Sequence, residues 1–345
     1  MHRVAASRHR AVAAAVLAAA ALAPLVAGPD LLDDMTFAAA YVVMALGLNV
    51  VVGSAGLLDL GYVAFFAVGA YTAAYLASGY WEPGIHLSFL LVFAAAAAAA
   101  TLAGVLIGLP TLRVRGDYVA IVTLAFGEII GQVVLNGGEI RLFGGTLTSG
   151  AIGIGPIDAI DLPLLPRFTD FDLRPWYWFA LGLALVALLV TVRLRDSGVG
   201  RAWTAVREDE AAAAACGIPV ARTKLLAYGT GAALGGVAGA FIASYVAVVS
   251  PDQFRFSFSV FIVSMVVLGG LGSIRGAIAG AVVVSAINGY LLPDVLGALP
   301  RRLGLDFGFA DIASGVYGAI IVLVILLRPQ GLVAGAGAPG SRVSG

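Results

Sequence analysis

The chain has 345 residues, of which 61% are hydrophobic and 12% are charged, and its mean hydropathy is +1.00. Soluble domains contain about 45–50% apolar and about 25% charged residues, so this composition excludes a soluble globular enzyme. The formal net charge is zero, which means that only the distribution of charge carries information. Cys216 is the single cysteine, so no intrachain disulfide can form.

The sequence predicts an all-α polytopic membrane protein with about ten helices of a length that crosses a bilayer. A basic N-terminus and a first span make up residues 1–27, in which the apolar run 11–27 is either a retained span or a signal peptide; we expect a retained span. A single transmembrane domain occupies residues 28–327. Its predicted spans are residues 35–53, 61–78, 88–109, 118–135, 176–194, 226–249, 258–271, 277–293 and 310–327.

The distribution of basic residues predicts that both termini are cytoplasmic. With that orientation, 14 of the 20 Lys and Arg residues fall in cytoplasmic segments, as the positive-inside rule requires. Residues 136–175 then form an external loop, residues 195–225 a cytoplasmic loop, and residues 328–345 a disordered cytoplasmic tail. Two segments favour broken or re-entrant structure, because 258–271 is short and 53–61 is interrupted by glycines.

Four polar residues in or beside the predicted spans are candidates for a translocation path: Asn49, Asp59, Glu128 and Asn288. Polar groups in a bilayer are costly and usually face a cavity or a partner. Glu128 lies eleven residues beyond Asp117, which places it about 16 Å into its helix at about 1.5 Å per residue. The alternative is a protonated or hydrogen-bonded Glu128 that locks two helices together.

The predicted cytoplasmic loop contains an acidic cluster followed by an alanine run. We expect one short exposed helix that begins near Glu208, Asp209 and Glu210, since acidic side chains favour a helix N-terminus. Gly217 followed by Pro219 is a typical end of such a helix. The alternative is an ordinary solvated loop with a helix-favouring composition.

Several motifs in this chain resemble those of branched-chain amino acid permeases of bacterial ABC importers. The most specific is the run Pro110–Ile130; the others lie in 47–71, 148–154, 207–218, 267–276 and 327–332. The chain departs from the family pattern at Asp59 and Tyr62, where Ser and His are common, and at Ile152 and Arg275. The resemblance implies that the loop binds an ATPase subunit through the residues that match the coupling motif: Arg207, Glu208, Asp209, Glu210, Ala212, Ala213 and Gly217.

The resemblance also implies the partners and the place of the protein. These are two ATP-binding subunits, a second homologous permease, an extracytoplasmic substrate-binding protein and the lipid bilayer of the bacterial cytoplasmic membrane, with no nucleic acid. No Walker A sequence precedes the single lysine, Lys224, and no metal-ligand or catalytic spacing occurs, so we expect neither enzymatic activity nor a cofactor. The expected substrates are branched-chain amino acids; urea or short amides, and a self-contained ion-coupled carrier, are the alternatives.

Overall fold

The structure is a computed structural model that describes residues 17–80, 85–114, 116, 118–142, 145–161, 168, 172–289, 315, 317–319, 322–324, 326–327 and 331–333. Its main helices are α1 (Pro29–Leu48), α2 (Val63–Leu76), α3 (Phe89–Thr111), α4 (Tyr118–Asn136), α5 (Arg174–Asp196), α6 (Gly198–Glu208), α7 (Glu210–Ala215), α8 (Val220–Val246), α9 (Phe256–Gly269) and α10 (Ile274–Ala286). Two-residue strands form two small antiparallel hairpins: β1 (Ala77–Ser78) with β2 (Ile85–His86), and β3 (Arg141–Leu142) with β4 (Gly145–Thr146).

The helices confirm an all-α polytopic membrane fold. Within the described residues, five helices are long and apolar enough to cross a bilayer; their bounds are Pro29–Ser54, Phe89–Thr111, Tyr118–Asn136, Arg174–Asp196 and Val220–Val246. The helices at Val63–Leu76, Phe256–Gly269 and Ile274–Gly289 are apolar but shorter. The eight predicted spans from 35–53 to 277–293 each coincide with one of these helices. The prediction that 258–271 is short is confirmed, since α9 has 14 residues.

The boundaries of the helices follow local residues such as proline more closely than they follow hydropathy. The helix predicted from residue 35 begins at Pro29, which occupies the first helical position, where a missing N–H has no cost. α1 then continues into a π-helical segment at Asn49–Ser54, and the chain breaks before α2. Residues 17–22 of the first predicted span are helical, followed by a 3-10 turn at Ala23–Leu25. Most of the last predicted span and of the predicted tail lies outside the described residues.

α8 lies at the centre of the bundle and packs against α1, α2 and α3. Its close contacts depend on glycine: a Cβ atom on Gly69 of α2 would lie 2.1 Å from the carbonyl oxygen of Gly236 in α8. Small residues allow membrane helices to approach backbone to backbone and gain dispersion contacts over their length. On the same helix, the carbonyl of Gly231 accepts a hydrogen bond of 2.8 Å from the buried Tyr62 hydroxyl.

The connections between helices collect at two opposite ends. At one end, which we call the α6 end, Arg207 of α6 donates a hydrogen bond to Gly53, and the N–H of Gly272 donates to Asn49. At the other, which we call the far end, residues 154–158 bond to the ends of α2 and α8. The N–H of Ile154 donates to Val249 at 2.9 Å, and that of Asp158 donates to Ala77 at 2.7 Å. Two separate polar surfaces therefore bound an apolar bundle.

Candidate functional site

The segment formed by α6 and α7 is the main polar surface at the α6 end. Ser197 caps α6, because its hydroxyl accepts hydrogen bonds from the N–H groups of Val199 and Gly200 at 3.2 and 3.4 Å. Trp203, only 1% exposed, anchors the segment to the bundle, and its indole N–H donates to the carbonyl of Thr223 at 2.9 Å. The bonded indole fixes the position of the segment on the membrane helices.

The expected short helix that begins at the acidic cluster is confirmed as α7, but the sequence did not predict the helix α6 before it. α6 ends at Glu208, and Asp209 starts a separate helix, α7. The Asp209 carboxylate accepts hydrogen bonds from the N–H groups of Ala211 and Ala212 at 2.8 and 3.0 Å, which is N-capping. The expected end of the helical run is confirmed, since Gly217 has φ = +85°, a conformation that glycine adopts without strain.

α7 presents acidic groups and small side chains to its surroundings. Glu208, Asp209, Ala211 and Ala212 are exposed, whereas Ala213 is buried against the rest of the segment. A helix with small exposed residues allows a partner surface to approach its backbone closely.

Two basic side chains tie the segment to the membrane helices. Lys224 of α8 is 5% exposed and forms an ion pair with Glu210, which joins α7 to α8. The guanidinium of Arg207 donates to the carbonyl of Gly53, and its aliphatic part lies against Gly56. Arg207 thus connects α6 directly to the break between α1 and α2. Sequence reasoning did not identify Lys224 as buried, because a lysine near the polar end of a helix normally reaches water.

Asn49 and Asp59 are both 1% exposed and lie near this break. The Asn49 side-chain oxygen accepts a hydrogen bond of 2.9 Å from Gly272, which joins the end of α1 to the turn between α9 and α10. One carboxylate oxygen of Asp59 accepts from the N–H of Gly61 at 2.9 Å, and the other has no hydrogen-bond partner among the described residues. Burial raises the pKa of Asp59, although the N–H of Gly61 and the hydroxyl of Thr123 oppose the rise.

Glu128 and Asn288 lie elsewhere. Glu128 is exposed on α4 and forms no hydrogen bond or ion pair with any described residue, so it links α4 to none of the described helices. Asn288 is half-buried just after α10 and accepts a hydrogen bond from the hydroxyl of Tyr317. The contacts of the described residues do not bring the four predicted path residues into one cavity. Nor does any group of three His, Cys, Asp or Glu in this part of the chain lie close enough to hold a metal ion.

A model of the family described as "Branched-chain amino acid transport system / permease component" matches residues 31–325. The chain belongs to this family. The match covers every helix from α1 to α10 except the first two residues of α1. It therefore includes the α6–α7 segment and all four candidate path residues.

The permease is also similar to individual proteins that are named as such permeases. It is 37% identical over 339 residues to the high-affinity branched-chain amino acid transport system permease protein LivM of Escherichia coli, an alignment that covers 92% of this chain and 73% of the relative. It is 25% identical over 312 residues to LivH of Salmonella typhimurium, covering 88% and 94% of the two chains. A probable LivM of Methanocaldococcus jannaschii is 25% identical, covering 67% and 64%. No solved structure matches the chain significantly.

These relatives are permease components of transport systems and not enzymes. With its apolar helices, the permease is accordingly a multi-pass membrane protein. The structure and the family together direct attention to two features: the α6–α7 segment, and the α4 face that carries Glu128.

Proposed function

We propose that this permease is the membrane subunit of an ATP-driven ABC importer that carries branched-chain amino acids across the bacterial cytoplasmic membrane. The observation that carries the proposal is the match to LivM, which extends over 92% of the chain. In the proposed complex, ATP is hydrolysed on two separate ATP-binding subunits. A second homologous permease, similar to the relatives named LivH, completes the membrane part, and an extracytoplasmic binding protein delivers the substrate.

The α6–α7 segment is the proposed contact with an ATP-binding subunit, through Arg207, Glu208, Asp209, Glu210, Ala212, Ala213 and Gly217. Two observations support this role. The exposed face of α7 is small and acidic, so a partner can approach it closely, and Arg207 links the segment to the break between α1 and α2. A displacement of α6 would therefore act on the membrane helices through a specific hydrogen bond.

The proposed topology has ten spans, with both termini and the α6 end in the cytoplasm. It is supported by the way the helix connections alternate between the two ends of the described bundle. We test it by introducing cysteines at Ser197 and at Glu139 in a Cys216→Ala background and treating intact cells with a membrane-impermeant thiol reagent. Labelling at position 139 alone is expected, whereas labelling at position 197 alone would invert the topology.

The proposed translocation path involves Asn49, Asp59, Glu128 and Asn288. Support is strongest for Glu128, because the uncovered face of α4 forms a stripe at helical spacing. Its members are exposed and are Tyr118, Ile121, Ala125, Glu128, Ile129, Gln132 and Val133. An uncompensated carboxylate on an apolar membrane face is costly, so we expect the second permease or a water-filled path to cover it.

Transport in proteoliposomes tests the proposed function. The permease is reconstituted with its second permease, both ATP-binding subunits and the binding protein, and uptake of labelled leucine and of urea is measured. ATP-dependent uptake of leucine and not of urea is expected, since a path with mostly apolar walls suits an aliphatic zwitterion. Uptake of urea alone would assign a different substrate, and uptake by the permease alone along an ion gradient would refute the ABC assignment.

A further inference from the structure

A cavity of about 360 Å³ opens at the far end of the bundle, remote from the α6–α7 segment. It lies between the beginning of α1, the beginning of α5 and the end of α8. Its lining consists of a carboxylate, three aromatic rings and a few aliphatic residues: Asp33, Phe37, Leu173, Trp176, Tyr245, Val246 and Ala247. Sites for small molecules typically measure about 300–1,000 Å³, so this volume is enough for one small ligand.

The three aromatic rings hold one another in place. The Phe37 and Tyr245 rings meet edge to face with centroids 5.3 Å apart, and the Trp176 and Tyr245 rings do so at 5.2 Å. Trp176 is only 2% exposed, so its indole is fixed by its surroundings. Edge-to-face aromatic pairs stabilise one another beyond the area that they bury. The aromatic rings that line the cavity are therefore held in fixed positions.

Asp33 supplies the negative charge in this cavity. It is half-buried, and one of its carboxylate oxygens accepts a hydrogen bond from the Tyr245 hydroxyl. Its other oxygen has no hydrogen-bond or salt-bridge partner among the described residues. Arg174 begins α5 next to Leu173 but is exposed and forms no ion pair with Asp33 in this part of the chain. The carboxylate thus keeps a free acceptor beside three rings.

We propose that this cavity binds an organic ammonium group. A carboxylate combined with aromatic faces is the chemistry that recognises such a cation, because ring quadrupole and carboxylate both attract it. The identity of the natural ligand rests on the proposed function: it is the α-ammonium end of an amino acid substrate on its way into the permease. None of the described residues that line the cavity is cationic, so they do not neutralise the carboxylate of an amino acid.

This arrangement predicts an order of affinity among three ligands with the same branched alkyl chain. 3-Methylbutylamine, which has only the ammonium group, binds most tightly. Leucine binds more weakly, because its carboxylate lies near Asp33 and is not neutralised. Isovalerate, which has only the carboxylate, does not bind measurably. Each like-charge or cation–π contribution of about 1 kcal/mol corresponds to about a fivefold change in Kd.

The test uses the complete transporter in lipid nanodiscs, without binding protein, and measures binding of the three ligands by isothermal titration calorimetry. Asp33→Asn removes the charge but retains an oxygen that can accept from Tyr245. We expect this variant to raise the Kd for 3-methylbutylamine at least about fivefold. Phe37→Leu removes one ring and is expected to weaken the amine as well. The matched control is Asp252→Asn, because Asp252 is an exposed carboxylate paired with Arg255 outside the cavity.

Three outcomes overturn the proposal. They are equal binding of the amine and isovalerate, unchanged amine binding in Asp33→Asn, and loss of amine binding in Asp252→Asn to the same extent. If the free amine does not bind while Asp33→Asn weakens docking of the binding protein, the ammonium group comes from a lysine of that protein and the amino acid assignment fails. If leucine is imported but the amine does not bind, the proposed site is refuted and the proposed function stands. If the amine binds in an Asp33-dependent way but leucine is not imported, the site stands and the proposed function is refuted.

Discussion

Arg207→Met should uncouple ATP hydrolysis from transport. Methionine retains an unbranched apolar side chain that can lie against Gly56, but it removes the guanidinium that donates to Gly53. Hydrogen bonds from charged groups contribute about 1.5–3 kcal/mol, and the partial exposure of Arg207 favours the lower end. A loss of about 1.4 kcal/mol corresponds to a tenfold change in an equilibrium. We therefore expect about tenfold less leucine transported per ATP hydrolysed.

The assay measures leucine uptake and phosphate release in the same proteoliposomes, together with co-purification of the ATP-binding subunits. Arg201→Met is the matched control, since Arg201 lies on the same helix, is exposed, and donates only to the neighbouring carbonyl of Asp196 at 3.3 Å. The reasoning is refuted if Arg207→Met transports as many leucine molecules per ATP as the wild type. Arg207 is also among the proposed contacts with the ATP-binding subunit, so loss of co-purification would assign the effect to docking and refute transmission through the hydrogen bond to Gly53.

Three further predictions concern the α6–α7 segment, the α4 face that carries Glu128 and the break between α1 and α2. Gly217→Val places a β-branched residue at φ = +85°, which costs about 1–2 kcal/mol or more; co-purification of the ATP-binding subunits should fall while the membrane domain keeps its melting temperature. Glu128→Gln should reduce leucine uptake but change stability by less than about 0.5 kcal/mol, because Glu128 is exposed in this chain; an equal loss of thermal stability would contradict this. The raised pKa of Asp59 means that wild-type stability is complete below the unfolded pKa and declines as pH rises through the folded pKa. In thermal melts from about pH 4 to about pH 7, the melting temperature of Asp59→Asn should rise relative to that of the wild type as pH increases. A difference in melting temperature that stays constant with pH would exclude this pKa shift.

The helices were predictable because hydropathy is nearly the whole signal in a membrane chain. Runs such as 88–109 and 118–135 agree with α3 and α4 to within two residues at each end. The start of α1 was not found by hydropathy, since Pro29 and the acidic residues that follow begin the helix before the apolar run does. For the same reason Asp33, which precedes the predicted span 35–53, is part of α1 and lines a cavity.

The candidate site was less predictable, because side-chain partners distant in sequence decide it. Asp209 breaks the segment by capping α7, which follows from N-cap preferences but competes with the helical propensity of the alanines that follow. Asn49 bonds to Gly272, 223 residues away, and no local pattern indicates that contact. The direction in which Glu128 points depends on which side of α4 the other helices cover, and a single sequence does not contain that information.

The contact between Gly69 and Gly236 restricts how this protein can change over evolutionary time. A Cβ atom on Gly69 would lie 2.1 Å from the Gly236 carbonyl oxygen, and one on Gly236 would lie 2.4 Å from the Cβ of Ala100 in α3. Elsewhere in a protein, a larger side chain can be tolerated when its neighbour becomes smaller. The atoms that a side chain at Gly69 would meet belong to the backbone, so no substitution at Gly236 can make room for it. At Gly236, Ala100→Gly would remove the nearest atom, but the Ala96 carbonyl oxygen would remain 2.8 Å from the new Cβ.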